Sequence, residues 1–117
     1  MSNDILDLAE LKERVQDDIE LLLELLDIFT EDYKGKRVVL GKSLVSDNYE
    51  EVRNVAHSLR GASGNISAKS LREKLSTFEE MGAKNDTTGS DELLQALDKS
   101  YTELEGRIAE VKVELAG

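Results

Sequence analysis

The chain contains no cysteine and no proline, and it has a single histidine, His57. The absence of cysteine excludes disulfide bonds and thiolate metal sites. A single histidine also excludes a multi-histidine metal site within one chain. The absence of proline removes the residue that most strongly interrupts a helix. The composition therefore permits long helices and leaves one imidazole for any histidine chemistry.

The sequence also has no apolar run that approaches the roughly 20 residues a helix needs to cross a membrane. Its acidic beginning lacks the basic segment that opens a signal peptide. The net charge of −10 disfavours sequence-independent binding to nucleic acid. We therefore expect a cytoplasmic protein whose partners are neither membranes nor nucleic acids.

Apolar residues recur at steps of three and four along most of the 117 residues, and no stretch alternates as a strand would. This pattern predicts five helices. The first spans 4–15, and the second runs from a cap at Asp17 or Asp18 to about Leu44. The third runs from a turn at 46–48 to about Ile66, the fourth spans about 68–81, and the fifth runs from an N-cap at Ser90 through Leu115. We expect residues 1–117 to form one all-α domain, an antiparallel four-helix bundle with an additional short N-terminal helix.

The second of these helices carries two apolar rows rather than one, and Gly35 or Gly41 is a candidate for a bend in it. The second row consists of Leu21, Leu25 and Ile28. A helix that is apolar on two sides is expected to be covered on both. The first helix and the bundle would supply that cover, or a second copy of the chain would. We take a monomer as the default.

The helix that carries His57 has a core stripe of apolar and small residues on the opposite side, so the imidazole is predicted to face water. Gly61 lies one turn beyond His57, and Gly64 lies two turns beyond it. A glycine inside a helix costs about 0.8–1 kcal/mol relative to alanine, so two of them suggest that another molecule comes close to the ring. Either glycine could instead end the helix as a C-cap. The apolar Ile66 continues the core stripe and favours a helix that runs through both.

Basic residues are concentrated around this histidine, although the chain as a whole is acidic. The window 52–75 contains one acid, Glu73, and five bases, namely Arg53, Arg60, Lys69, Arg72 and Lys74. Arg53 and Arg60 lie one turn before and one turn after His57 on the same helix. Such a basic region suits a phosphoryl group or an acidic partner. The alternative is an ordinary solvated face, which is the better interpretation for 69–74 taken alone.

Glu79 is predicted to lie level with His57. The two residues stand at nearly equal distances along the chain on either side of a tight turn near Ser67, so an antiparallel helix hairpin brings them side by side. The alternative is a surface glutamate paired with Arg60 or Lys74.

These residues resemble the signature of histidine-containing phosphotransfer (HPt) domains, in which A-H-x-L-K-G is followed by small residues, an apolar position, G-A and a later L-E or L-Q. The matching segments are Ala-His-Ser-Leu-Arg-Gly at 56–61, Ala-Ser-Gly-Asn-Ile at 62–66, Ala68, Leu71 and Phe-Glu at 78–79. Two positions depart from the family pattern. Arg60 replaces the lysine and keeps its charge, and Ser67 replaces the glycine in the turn.

The resemblance implies that His57 is phosphorylated, that Glu79 orients the imidazole through Nδ1, and that Arg60 stabilises the phosphoryl group. It also implies a partner-binding surface, to which we assign Arg53, Asn54, Gly61, Gly64 and Ala68. The implied partners are response-regulator receiver domains and a hybrid sensor histidine kinase. The chain would then be a phosphocarrier rather than an enzyme, without a metal site or cofactor of its own, and magnesium is expected on the receiver.

Two other interpretations stay open at this point. The chain could be the substrate domain of a chemotaxis-type histidine kinase, with ATP as the phosphoryl donor and a separate kinase domain. It could also be an acidic helical adaptor without chemistry that binds partners through Leu21, Leu25 and Ile28. The sequence identifies neither the cognate receivers nor the direction of phosphoryl flow.

Overall fold

The computed structural model describes residues 2–116, with side chains from Asp4 onward. This part of the chain forms six helices and no strand: α1 Ser2–Ile5, α2 Leu8–Arg14, α3 Ile19–Val45, α4 Tyr49–Asn65, α5 Lys69–Ala83 and α6 Ser90–Ala116. None of these helices is long and apolar enough to cross a membrane. The all-α fold is confirmed.

The four long helices form an antiparallel bundle in which α3 contacts α4, α4 contacts α5, α5 contacts α6, and α6 returns to α3. Their connections are short, which places consecutive helices side by side in opposite directions. The apolar stripes predicted from the sequence face a common core, whose largest fully buried side chains are Tyr33, Phe78, Leu6, Leu11, Leu22, Leu26, Leu40, Leu59, Leu71, Leu75, Leu97 and Leu104. This core holds α4 and α5 in fixed register, and α4 carries His57.

The N-terminal segment differs from the single short helix predicted over 4–15, because it is broken between α1 and α2. Leu6, in the break, is buried in the core. The Asp7 carboxylate caps α2 by accepting a hydrogen bond from the Glu10 backbone N–H at 3.1 Å, and the Asp7 N–H donates to the Ser67 carbonyl at 3.0 Å. A capping aspartate at this position starts a new helix rather than continuing the first.

The other helix ends agree in part with the ends predicted from the sequence. Asp18 is the N-cap of α3 and accepts from the Leu21 N–H at 3.0 Å. Helix α3 continues through both Gly35 and Gly41 to Val45. The N-cap predicted at Ser90 is wrong by one residue, because Ser90 is already helical and the carbonyl of Gly89 accepts the first helical hydrogen bond, from the Leu93 N–H. Gly89 adopts φ +83°, a backbone conformation that serine would adopt only with strain.

Within the single chain, the second apolar row of α3 is covered only in part, because Leu25 packs against the core and the other two residues are exposed. Leu21 is 40% exposed and Ile28 is 56% exposed. The reason is that α1 lies against α5 and α6, and that α2 contacts α3 without covering these two side chains. Part of the second row of α3 therefore faces solvent.

Ser67 lies in the left-handed backbone region, with φ +62°, in the turn between α4 and α5. This is the position at which the family pattern has glycine, which adopts such a φ without steric cost. The buried Ser67 hydroxyl donates to Glu10 Oε1 at 2.6 Å and lowers the pKa of that carboxyl. The serine therefore ties the turn to α2 while keeping the backbone shape that glycine would give.

This geometry predicts a difference between two variants that both lose the hydroxyl. We expect Ser67→Gly to be more stable than Ser67→Ala by about 1 kcal/mol, because alanine keeps the left-handed strain and glycine does not. Urea denaturation of the two variants measures the difference. An alanine variant as stable as the glycine variant would contradict the assigned backbone conformation.

Candidate functional site

His57 projects from the solvent side of α4. Its neighbours Ala56 and Leu59 are fully buried in the core, which orients the helix so that the His57 side chain is 62% exposed. Gly61 and Gly64 both lie inside α4, which ends only at its C-cap Ile66, so neither glycine is the C-cap. The imidazole ring therefore projects from a continuous α-helix.

Glu79 of α5 reaches the ring from the adjacent helix, as the hairpin register predicts. Its Oε2 lies 2.9 Å from His57 Nδ1, and its side chain is 25% exposed. An ionised carboxylate can only accept a hydrogen bond, so this contact requires the proton to be on Nδ1. In the neutral imidazole, the Nε2 lone pair is then free and lies on the side of the ring away from the carboxylate. This is the tautomer in which Nε2 can act as a nucleophile.

Arg60 completes the cluster from the next turn of α4. Its Nε lies 3.0 Å from Glu79 Oε1, and its Nη2 approaches His57 Nδ1 at 3.2 Å. Because Nδ1 donates its proton to Glu79, this second approach is a close contact rather than a hydrogen bond. Glu79 thus contacts both His57 and Arg60, whereas Lys74, the other predicted candidate, bonds to the Ser70 hydroxyl.

The two glycines beyond His57 have different surroundings. A Cβ built on Gly61 meets nothing within 4 Å, so this position leaves open space beside the ring. A Cβ on Gly64 would stand 3.4 Å from Cδ of Arg72, because the Arg72 side chain lies over that glycine. Gly61 thus gives access from solvent, and Gly64 makes room for an arginine.

The residues assigned to partner binding divide into exposed and buried positions. Arg53 and Asn54 are exposed on α4, on the turn before His57. The assignment of Ala68 is wrong, because Ala68 is 0% exposed. It occupies the N-cap position of α5 without a side-chain cap, and its backbone N–H donates to the Ser63 carbonyl at 2.9 Å. Its methyl group belongs to the hydrophobic core.

Two basic residues near the site were not predicted. Lys36 of α3 donates from Nζ to the Ser58 hydroxyl at 2.7 Å and to Asp32 at 3.0 Å, next to His57 along α4. Arg14 of α2 joins a groove beside the site. Both come from helices distant in sequence, and neither stands in a local motif that could have identified it.

The groove has a volume of about 490 Å³ and runs along α4 from the position of Arg60. Its lining residues come from α2, α4 and α5: Arg14, Arg60, Gly61, Gly64, Asn65, Arg72 and Ser76. Three of the seven are arginines and none is acidic, so the groove attracts anions. Over the described range 2–116, no group of three or more histidine, aspartate or glutamate residues is arranged to hold a metal ion.

The sequence matches the family model described as the Hpt domain over residues 8–107. Among solved structures, the fold is similar to the crystal structure of histidine-containing phosphotransfer protein B (HptB) from Pseudomonas aeruginosa PAO1. The TM-score is 0.79 and the sequence identity 22%, over 92% of this chain and 90% of that chain. No curated protein matches the sequence. Since the family model covers most of the chain, the protein belongs to the Hpt domain family, the histidine-containing phosphotransfer domains that the motif around His57 resembles.

Proposed function

We propose that this protein is a phosphocarrier of a multistep phosphorelay in the cytoplasm. His57 accepts a phosphoryl group from the phosphorylated aspartate of one receiver domain and passes it to another receiver. The observation that carries the proposal is the 2.9 Å contact between Glu79 and Nδ1 of an exposed histidine, in a chain of the Hpt family. In the neutral imidazole this contact leaves the lone pair on Nε2, and the His57 side chain is 62% exposed.

In the proposed step, the Nε2 lone pair attacks phosphorus in line with the bond to the aspartate oxygen. The N–P bond forms as the P–O bond breaks, and the aspartate leaves as a carboxylate. The proton on Nδ1 stays in its hydrogen bond to Glu79, whose negative charge compensates the positive charge that develops on the ring. Transfer to the second receiver is the same step in reverse.

Arg60 has a supporting role in this proposal. In this structure its guanidinium lies on the Nδ1 side of the ring and holds Glu79 through Oε1. When a phosphoryl group is present on Nε2, the nitrogen atoms of the guanidinium that do not hold Glu79 can turn toward its oxygens and offset their charge. Arg60 therefore first positions Glu79 and then stabilises the phosphoryl group.

The chain needs no cofactor of its own in this mechanism. The magnesium ion that assists transfer is expected on the receiver, together with the aspartate that carries the phosphoryl group. Arg53, Asn54 and Gly61 lie on the solvent side of α4 near the ring, where a receiver would contact them.

The test mixes the protein separately with a phosphorylated receiver domain and with a histidine kinase plus ATP. A relay protein gains an acid-labile, base-stable label from the receiver, and peptide mapping places it on His57. A label that comes only from the kinase and ATP would favour the substrate domain of a chemotaxis-type kinase. No label from either donor would reject phosphotransfer and favour the adaptor.

Gly61→Gln tests whether open space beside the ring is needed for transfer. We expect transfer from a phosphorylated receiver to slow by about tenfold or more, because a longer side chain occupies the space through which the partner approaches. Rapid-quench measurement of the labelling rate checks this expectation. The matched control is Gly106→Gln on α6, where a Cβ also meets nothing within 4 Å. Equal rates in the two variants would mean that the bare position at Gly61 is incidental.

A further inference from the structure

The arginine groove is a separate feature from the phosphoryl-accepting atoms. Of its three arginines, only Arg60 contacts the cluster formed with His57 and Glu79. Arg72 approaches the groove from α5, and Arg14 comes from α2. Three cationic side chains from three helices therefore converge on one surface of a protein whose net charge is −10.

Two of these cations, Arg14 and Arg72, are weakly compensated within the molecule, whereas Arg60 is paired with Glu79 at 3.0 Å. The ion pairs formed among residues 4–116 do not include Arg72. Arg14 has one exposed pair, with Glu10 at 3.5 Å, and Glu10 already accepts a hydrogen bond from Ser67. Like charges in one groove repel each other, and a bound anion relieves that repulsion.

The Arg72 side chain also lies against the helix wall rather than extending freely into solvent. Its Cδ and Nη1 would stand 3.4 Å and 3.8 Å from a Cβ on Gly64, so the glycine provides the surface on which the arginine rests. An arginine whose stem is packed loses less side-chain entropy on binding than a free one. Arg72 is therefore preorganised to bind an anion.

The groove on the opposite side of α4 is lined by residues of different charge. A second groove, of about 410 Å³, is lined there by Lys36, Asn48, Glu50, Glu51, Asn54, Val55 and Ser58. Its one cation, Lys36, is paired with Asp32, and it contains two carboxylates. The groove on the α2 and α5 side of α4 is thus lined by three cations and no acid, whereas the groove on the α3 side is lined by more acids than bases.

We infer that the groove of Arg14, Arg60 and Arg72 is an electrostatic docking surface for carboxylate side chains on the receiver domain that exchanges the phosphoryl group. This inference rests on the proposed function. A domain that binds magnesium beside an aspartyl phosphate must carry carboxylates near its active site, since magnesium takes oxygen ligands. The arginine groove attracts further acidic side chains on the receiver surface around that site, outside the magnesium ligands, and the α3–α4 groove repels them, so the partner binds His57 in one orientation.

Arg14 and Arg72 give the clearest test, because neither contacts the His57 cluster. The experiment measures single-turnover transfer from a phosphorylated receiver domain as a function of receiver concentration, at low and at moderate salt. Arg72→Gln and Arg14→Gln are each expected to raise the half-saturating receiver concentration by about fivefold at low salt, with the limiting rate within about twofold of wild type. The defect should shrink as salt increases, because salt screens the attraction.

The matched control is Lys99→Gln, which removes one positive charge from α6, a helix that contributes no residue to the groove. Charge reversal in Arg72→Glu should raise the half-saturating concentration further, and a receiver variant with an acidic surface residue changed to lysine should restore it. If the arginine variants match Lys99→Gln while wild type is labelled normally, the docking surface is rejected and the proposed function stands. If wild type itself gains no label from any receiver, both proposals fail.

Discussion

His57→Gln is expected to abolish phosphoryl acceptance while the bundle stays folded. Glutamine keeps a polar side chain of similar reach on the exposed side of α4 but has no nucleophilic nitrogen, so labelling from a phosphorylated receiver should fall by at least about a thousandfold. Because the His57 side chain is 62% exposed, its replacement removes no core contact. Circular dichroism and urea denaturation should therefore match wild type.

Lys99→Gln is again the control, since it changes an exposed residue on α6 to the same amide side chain. It should be labelled at the wild-type rate. A label that persists in His57→Gln, mapped to another residue, would overturn the assignment of His57 as the acceptor.

Gly82→Ala is expected to be the most destabilising of the glycine-to-alanine substitutions at the described glycines. A Cβ on Gly82 would lie 2.5 Å from the backbone N of Arg53, 2.7 Å from the carbonyl oxygen of Tyr49 and 2.8 Å from Cα of Arg53. These are backbone atoms of α4, so relief requires the two helices to move apart. We expect a loss of about 3 kcal/mol in the free energy of unfolding, measured in urea.

The comparison variant is Gly106→Ala, at a helix-interior glycine where a Cβ meets nothing within 4 Å. That change should stabilise the protein by about 0.8–1 kcal/mol, the usual advantage of alanine over glycine in a helix. A Gly82→Ala variant that loses less than about 1 kcal/mol would show that α4 and α5 do not approach this closely in solution.

Gly82→Ala should also impair phosphotransfer in the molecules that remain folded. Gly82 lies one turn beyond Glu79 on α5, so a helix displaced at Gly82 moves the carboxylate away from His57 Nδ1. The closeness of the two helices and the orientation of the imidazole therefore depend on the same contact.

The sequence could predict the features of the site that follow from helix periodicity and from one tight turn. The side of α4 on which His57 lies follows from the spacing of the apolar residues in that helix. The position of Glu79 beside His57 follows from the nearly equal number of residues between each of them and the turn near Ser67. Neither inference needs to know how remote segments pack. Both features can therefore be predicted from the local sequence pattern.

Features that depend on remote segments could not be predicted in this way. Ala68 belongs to a matching motif position, but only the packed turn shows that its methyl group is buried. Arg14 lies far from the motif in sequence, and its place in the groove depends on the break between α1 and α2. That break depends in turn on the Asp7 cap and its bond to the Ser67 carbonyl.

The exposed apolar residues of α3 illustrate the same limit. Periodicity shows that Leu21 and Ile28 form a second row, but it does not show which neighbour covers the row. Helix α1 lies against α5 and α6 instead, and α2 contacts α3 without covering Leu21 or Ile28. The sequence pattern describes a face, and only the tertiary structure determines its environment.

The position of both ring contacts on the Nδ1 side has a consequence for how long a phosphoryl group would survive on His57. Among the described residues, Glu79 and Arg60 are the groups within hydrogen-bond distance of a ring nitrogen, both at Nδ1, and neither is placed to activate a water molecule next to Nε2. Spontaneous hydrolysis of the phosphorylated protein would then proceed at the intrinsic rate of phosphohistidine in water. The lifetime of the phosphorylated protein would then be set by the abundance of partner domains rather than by a hydrolytic activity of this protein.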